Sequence, residues 1–301
     1  KLICGLISEF RKQNISSFHV SVYANNQKAN SFYLKHGGIK SGIFHLYHKL
    51  WYGYEISVSN TGDLRKVSVI LPTYNESENI VPLIKQILLV SKTHNLKPEI
   101  LLVDDSSPDQ TAKRVSKYFT RNKHIRIIIR THDRGLAQSI LIGIRKAKYP
   151  LIVVMDTDFS HDPDVIPSLI EKLAICDMAI GSRFIAGGGM ENRLRHYLSL
   201  LFNLYVRTFL QLPTKDSLSG FFAARKPLLT PYLNETVFNG FGEYFIRLIF
   251  LLHLKKKVLA EVPVYYNLRQ GGQRKSQFLK MFITYTTAVI SLKKNSTSFH
   301  N

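Results

Sequence analysis

"VSVILP" at residues 67–72 is followed, after a short polar gap, by "ESENIVPLIKQILLV" at residues 76–90. The first is a strand-like apolar run, and in the second the apolar residues recur at helical spacing. The same pairing repeats down the chain. "EILLVDD" (99–105), "IRIIIR" (125–130), "PLIVVMD" (150–156) and "MAIGSR" (178–183) alternate with "DQTAKRVSKYF" (109–119), "GLAQSILIGIRKA" (135–147) and "PDVIPSLIEKLA" (163–174). Such alternation predicts an α/β fold, a mostly parallel sheet with helices on both faces. Ligands of such sheets bind beyond the carboxyl ends of the strands. Three strands end in chemically interesting residues: 72–76, the pair Asp104 and Asp105, and the group Asp156, Thr157 and Asp158.

Composition bounds the function classes. The 301 residues suffice for one large domain or two modest ones, and 45% hydrophobic against 21% charged residues fits a folded chain. Lys and Arg number 41 against 21 Asp and Glu, a formal charge of +20. That surface favours polyanions: nucleic acid, anionic lipid headgroups or phosphorylated substrates. The two cysteines, Cys4 and Cys176, have no metal-ligand spacing and imply no disulfide framework, which suits a reducing compartment. The chain opens at Lys1 without an initiator Met and reads as a piece of something longer. No segment reaches the roughly 20 apolar residues of a spanning helix; the best, 281–292, is short and bracketed by Lys280 and Lys293.

The acidic stretch "VVMDTDFSHDPD" (153–164) divides into local readings. An Asp-x-Asp at a strand end brings two carboxylates to one side, enough to hold a hard divalent cation. Mg²⁺ keeps waters and binds through one or two carboxylates plus substrate phosphates, so Asp156 and Asp158 point to a phosphorylated partner. Asp162, before Pro163, reads as an N-cap, and Asp164 as a complement to the helix dipole. His161 has no ligand partner at useful spacing and reads as a solvated or capping side chain. In "LLVDDSSPDQT" (101–111), Ser106, Pro108 and Asp109 supply turn and N-cap chemistry, which leaves the adjacent Asp104 and Asp105 to be explained.

The ordered set "VILPTYNESENI", "LLVDDSSPDQT", "RGLAQSILIGI", "VVMDTDFSHDP", "AIGSRF" and "VPVYYNLRQGGQRKS" resembles family 2 GT-A glycosyltransferases, in particular their dolichyl-phosphate mannose synthase and bacterial polyprenyl-phosphate branch. The resemblance runs from Val67 to the C-terminus. It implies that Pro72, Tyr74 and Glu76 line a nucleotide pocket and that Val103 and Asp105 hold base and ribose. It implies that Asp156, Thr157 and Asp158 bind sugar diphosphate, with Mg²⁺ or Mn²⁺ on Asp156 and Asp158. Arg183, Arg269 and Lys275 become the cations for a diphosphate or an incoming phosphate, with Asp158 and Arg183 the catalytic pair. Thr157 stands where Ala is commoner, and Arg274 replaces the Ser of the usual Gly-x-Ser-Lys, which leaves the register of Lys275 open.

The activity implied is inverting transfer of a sugar, mannose from GDP-mannose, to a polyprenyl phosphate such as dolichyl phosphate. A hydroxyl acceptor needs a general base, and "NGFGEYFIRLIF" (239–250) offers Glu243 without the usual Glu-Asp pair; a lipid phosphate is already ionised. The segment "ENRLRHYLSLLFNLYVRTFLQL" (191–212) carries Leu194, Tyr197, Leu198, Leu201, Tyr205, Phe209 and Leu212 on one stripe, with Arg193, His196, Asn203 and Arg207 opposite. That stripe is either core or, with its basic flank and a second amphipathic stretch at 275–292, an interfacial surface. The expected location is peripheral, on the cytoplasmic face of a membrane, with an anionic lipid surface and small membrane-anchoring subunits as partners. Residues 186–196 read as a mobile loop that Gly187, Gly188 and Gly189 let close over the substrate, or those glycines as a plain flexible connector. Another donor such as UDP-glucose remains open, as does a non-catalytic binder of anionic membrane or nucleic acid, although no aromatic-plus-basic nucleic-acid motif is present.

Residues 57–66, polar and Gly-containing, read as a linker between an N-terminal part (1–56) and the main domain (67–301). In the first part, "VYANNQKANSFYLKHGGIKSG" (22–42) resembles the closing portion of GCN5-related N-acetyltransferases. That resemblance implies coenzyme A contact by Asn26 and a general-acid Tyr33, in a fragment lacking the pyrophosphate-binding Gly loop. The competing reading is a small α/β remnant with Tyr33 in its packing, and a bifunctional enzyme is the third.

Overall fold

The computed structural model describes residues 9, 10, 13, 15, 17–35, 39–57, 65–267 and 278–295. Arg269 and Lys275 lie outside these residues, as does most of the linker expected at 57–66.

The N-terminal part is a three-stranded antiparallel sheet. Strands β1 (Ser17–Tyr23) and β2 (Ile39–Leu46) flank β3 (Lys49–Ser57), and a helix spans Gln27–Lys35. Its tie points are local. Asn26 Oδ1 accepts from the Ala29 N–H at 3.0 Å as a helix cap, and Asn30 receives the buried Tyr54 hydroxyl at 2.9 Å. Tyr33 stacks on Tyr54 with 6.0 Å between ring centres.

The main sheet has seven strands: β4 (Lys66–Thr73), β5 (Lys97–Asp104), β6 (Ile125–Ile129), β7 (Leu151–Val154), β8 (Met178–Ser182), β10 (Phe222–Arg225) and β11 (Leu259–Pro263). A two-residue ladder of β9 (Gly189–Met190) with β12 (Tyr265–Tyr266) stands beside it. Strand order is β11-β8-β10-β7-β4-β5-β6, and every pairing is parallel except the two made by β10. The mostly parallel α/β architecture expected from the alternation is therefore present, with one reversed strand.

Alternation along each strand splits the core between two faces. Ile70, Leu101, Val103, Ile152, Val154 and Ile180 pack with the helices Leu136–Lys146, Arg193–Leu210, Glu243–Leu254 and Phe278–Lys294. Val67, Val69, Leu71, Ile100, Leu102 and Val153 pack with Ile80–Thr93, Thr111–Tyr118 and Ile166–Lys172. Both faces are dry, which is why these strands read as continuous apolar runs.

The Leu136–Lys146 helix approaches β4 so closely that a Cβ on Gly143 would overlap the Ile70 Cγ2 methyl, with Val103 Cγ2 at 3.4 Å. In an exposed helix interior, Gly→Ala gains about 1 kcal/mol. Here the sign reverses: Gly143→Ala is expected to lower unfolding free energy by about 1–3 kcal/mol through overpacking, read from urea midpoints. An unchanged or raised midpoint would show that helix and sheet separate freely.

Candidate functional site

A cavity of about 700 Å³ opens at the carboxyl ends of β4, β5 and β7. Pro72, Tyr74, Glu76, Asp105, Asp156, Thr157, Asp158 and Arg183, all singled out from sequence, line it. Val103 does not. Its side chain is wholly buried in the core against the helix that carries Gly143, because β5 turns that position into the sheet face.

The two adjacent aspartates after β5 are anchors. Asp104 accepts from the Ser107 N–H (2.8 Å) and hydroxyl (2.6 Å), closing the turn. Asp105 receives Arg130 Nη1 at 2.6 Å and the Ser139 hydroxyl at 2.8 Å on one oxygen, and the Gly135 N–H at 2.7 Å on the other. It ties β5, the end of β6 and the start of the Leu136–Lys146 helix at the cavity wall. Asp109 accepts from the Thr111 N–H at 3.0 Å and the Ser77 N–H at 2.9 Å, fastening the neighbouring loop. Burial raises the Asp109 carboxyl, but the Thr111 hydroxyl together with these two N–H groups outweighs it and holds it below its ordinary range. Glu76 is buried and accepts from the Asn79 side-chain amide at 2.9 Å.

The acids of 153–164 separate as their local chemistry suggests. Asp162 caps the turn Pro163–Val165, accepting from the Asp164 N–H at 2.9 Å. Asp158 accepts from the Ser160 N–H (3.1 Å) and hydroxyl (2.6 Å), and the Asp156 side chain is 49% exposed. Among the described residues no group of three or more His, Cys, Asp and Glu forms a closed metal cage. Two carboxylates on one open loop are the donor set that a hard cation uses with substrate phosphates, so the residues present fit Mg²⁺ or Mn²⁺.

His161 overturns its sequence reading. It is neither solvated nor a helix cap: the ring is buried, its Nδ1 accepts the Asp156 N–H at 2.9 Å, and it stacks on Phe221 at 4.8 Å with Tyr266 edge-on at 4.8 Å. Burial drives its pKa down to about 4, with Arg183 adding to the depression and Asp158 and Asp216 opposing it.

Arg183 is buried and held by Asp216, which also went unnoticed in the sequence. Nε and Nη2 donate to the two Asp216 oxygens at 2.7 Å each, and the Arg183 N–H adds a third bond at 3.0 Å. Burial works against the guanidinium charge, but Asp216 more than offsets it and keeps the group cationic. Arg183 also lies over the Tyr266 ring at 4.7 Å. Two of its three nitrogens are thus engaged, and Nη1 is the one it can offer to the cavity. Tyr244, Tyr266 and Tyr285 line the same space, with hydroxyl pKa values raised chiefly by burial. Arg134, Asn192 and Arg195 complete the polar wall. Glu243 does not line it: its carboxylate accepts from the Phe241 N–H at 3.1 Å.

The helix Arg193–Leu210 buries Asn203, Val206 and Leu210 and turns much of its apolar stripe outward: Leu194 is 71% exposed, Tyr197 63% and Leu201 64%. Asn203, expected on the polar side, is buried because Ser217 N–H and Ser199 C=O satisfy its amide at 2.7 and 2.9 Å. No described helix is long and apolar enough to cross a membrane.

The His161 displacement has a sign. Unfolded, the ring titrates near 6.5; folded, near 4. Between those values the unfolded state binds a proton that the native state refuses, so stability is full above about pH 6.5 and falls toward pH 4, by roughly 3 kcal/mol in total. Urea midpoints are expected to drop between pH 7.5 and 5, with a shallower slope in His161→Asn. An equal slope in the variant would remove His161 from the account.

Residues 68–232, more than half of the chain, match the family described as Glycosyl transferase family 2. The chain is 35% identical over 215 residues to the dolichol-phosphate mannosyltransferase of Pyrococcus furiosus, covering 70% of this chain and 59% of that one. It is 31% identical to the dolichol-phosphate mannosyltransferase of Saccharomyces cerevisiae over 69% of this chain and 80% of that protein. It is also 31% identical to the undecaprenyl-phosphate mannosyltransferase of Micrococcus luteus, over 70% and 87%. In fold it resembles glucosyl-3-phosphoglycerate synthase of Mycobacterium tuberculosis, solved with Mn²⁺, UDP and glucosyl-3-phosphoglycerate: TM-score 0.54, 18% identity, 77% of this chain and 79% of that one. With a mostly parallel sheet, a cavity at its strand ends and this family match, the chain belongs to glycosyl transferase family 2.

Proposed function

We propose that the protein transfers a sugar, mannose from GDP-mannose, to a polyprenyl phosphate such as dolichyl phosphate, with inversion at the anomeric carbon. The observation that carries this reading is the double character of one helix. Its N-terminal end brings Asn192 and Arg195 to the cavity wall, while Leu194, Tyr197, Leu198 and Leu201 on the same helix face solvent. A charged head beside a long apolar tail is the acceptor that suits both ends of that helix. The names of the relatives agree with it, and the resemblance read from the motifs pointed the same way.

In the mechanism, Asp156 and Asp158 would hold the cation, which when bound supplies Lewis-acid neutralisation of the leaving diphosphate. Arg134 and Arg195 add positive charge for anionic oxygens, with Nη1 of Arg183 beside them. The lipid phosphate oxygen attacks the anomeric carbon from the face opposite the diphosphate; the carbon–oxygen bond to the diphosphate breaks and its electron pair leaves with that group. The attacking oxygen carries no proton at neutral pH, so no base is called for. Glu76 and Asp105, each held by neighbouring donors, shape the nucleotide side.

Residues 67–301 form the catalytic unit in this reading, with Arg269 and Lys275 as further phosphate cations and 1–56 as a separate fragment. For that fragment the packed Tyr33 and the capping Asn26 favour a structural remnant over acetyl transfer. The exposed apolar stripe suits peripheral attachment to the cytoplasmic leaflet, with anionic lipid and small anchoring subunits as partners.

A donor screen of GDP- and UDP-sugars against a short prenyl phosphate, with and without Mn²⁺, tests the activity. GDP-mannose is expected to give product, and Asp158→Asn at normal expression to lose at least a hundredfold in turnover; unchanged turnover in that variant would sink the assignment. Leu198→Glu combined with Leu201→Glu is expected to abolish co-sedimentation with anionic vesicles while the urea midpoint holds. Retained sedimentation would place membrane attachment elsewhere.

A further inference from the structure

The loop that carries Asp156 and Asp158 leaves a buried strand and must present two carboxylates outward without a helix or ladder to fix it. Asp158 holds Ser160, Phe159 sits at a positive φ of 64°, and the Asp156 N–H is taken by the imidazole five residues on. That imidazole is itself fixed from two other elements. Phe221, just before β10, stacks on it with an interplanar angle of 10°, and Tyr266 of β12 closes the edge. Tyr266 is anchored in turn, donating its hydroxyl to the Ser219 carbonyl at 3.0 Å, and the Phe221 N–H reaches the Ser219 hydroxyl at 3.2 Å. Because Nδ1 accepts, the ring proton lies on Nε2, which sits 3.8 Å from Asp156 Oδ2, beyond hydrogen-bond length.

We infer that His161 is a positioning residue for the carboxylate pair: by accepting the Asp156 N–H from a slot fixed by Phe221 and Tyr266, it sets the direction in which Asp156 faces the cavity. It touches neither donor nor cation. Resting on the reading of Asp156 and Asp158 as the cation-holding pair, it predicts that the loop's affinity for a divalent ion depends on an acceptor atom at the Nδ1 position. Groups that orient a ligand to a metal typically change affinity 10–100-fold when removed.

The test uses the full chain with Mn²⁺ and GDP as probes, binding being read from the electron paramagnetic resonance of free Mn²⁺. His161→Phe keeps a ring between Phe221 and Tyr266 but has no acceptor; His161→Asn places an oxygen near the Nδ1 position. The expected result is Mn²⁺ affinity at least tenfold weaker in His161→Phe and within about threefold of wild type in His161→Asn, with the Mn²⁺ concentration for half-maximal transfer moving in parallel. If His161→Phe does not fold, His161→Leu, which likewise offers no acceptor, replaces it with the same expectation. Equal affinity in wild type and the acceptor-free variant, or equal loss in both variants, would overturn the inference while leaving the transferase reading intact. A wild-type chain that binds Mn²⁺ with neither GDP nor UDP would overturn both.

Discussion

The five inner strands of the seven-stranded sheet have no wet face. Helices cover both sides, so a polar side chain within the strands needs a partner there, as Ser68 and Glu99 have in each other, and the cavity forms where β4, β5 and β7 end. Much else follows from that constraint. Carboxylates leaving a dry strand must find donors at once or face solvent, and the loops divide on this choice. Asp104, Asp105 and Asp109 are saturated by nearby N–H and hydroxyl groups, whereas Asp156 keeps a half-exposed side chain. Asp158 is held as well, by the Ser160 N–H and hydroxyl, and it is the placement of Asp156 and Asp158 together on the cavity wall that suits them to a cation.

The open loop is steadied by a braced cluster beneath it. His161 lies against Phe221 and Tyr266, Tyr266 lies under Arg183, and Arg183 is locked to Asp216. The Asp216 segment is fastened further, since Lys215 and Asp216 N–H groups both donate to Glu261 at 2.9 Å and the Ser217 N–H reaches Asn203 at 2.7 Å. Asn203 belongs to the helix with the outward apolar stripe. The carboxylate loop and that helix therefore share one continuous set of bonds and ring contacts.

The sheet was legible because burial on both faces turns each strand into an apolar run bounded by helical spacing. The caps were legible for the same local reason: Asp162 and the Asp164 N–H it receives are two residues apart. What stayed hidden was whatever depends on distant partners. His161 shows nothing of Phe221 or Tyr266 in its neighbourhood, and Asp216 lies 33 positions from the arginine it holds. Val103 was placed at the nucleotide by resemblance, but strand alternation turns its side chain into the core. The stripe on Arg193–Leu210 left both core and interface open, since spacing reports that a helix is two-sided but not which side is covered. The reversed strand β10 was equally silent, being four residues, three apolar and then Arg225, with no directional mark.

That reversed strand has an evolutionary consequence. Parallel neighbours need a crossover that returns the chain to the far end of the sheet, and the sheet's height fixes its minimum length. Strand β10 instead re-enters beside β8 from the end at which β8 leaves, pairing Phe222 with Ile180. Everything between, from Arg183 through the outward helix to Asp216 and Ser219, is an excursion whose two ends are already adjacent. Its closing cost grows only slowly with added residues. The excursion that carries the outward helix can therefore lengthen, shorten or be rebuilt at little cost to the sheet, while the loops at the ends of β4, β5 and β7 stay bound to the spacing of the parallel strands.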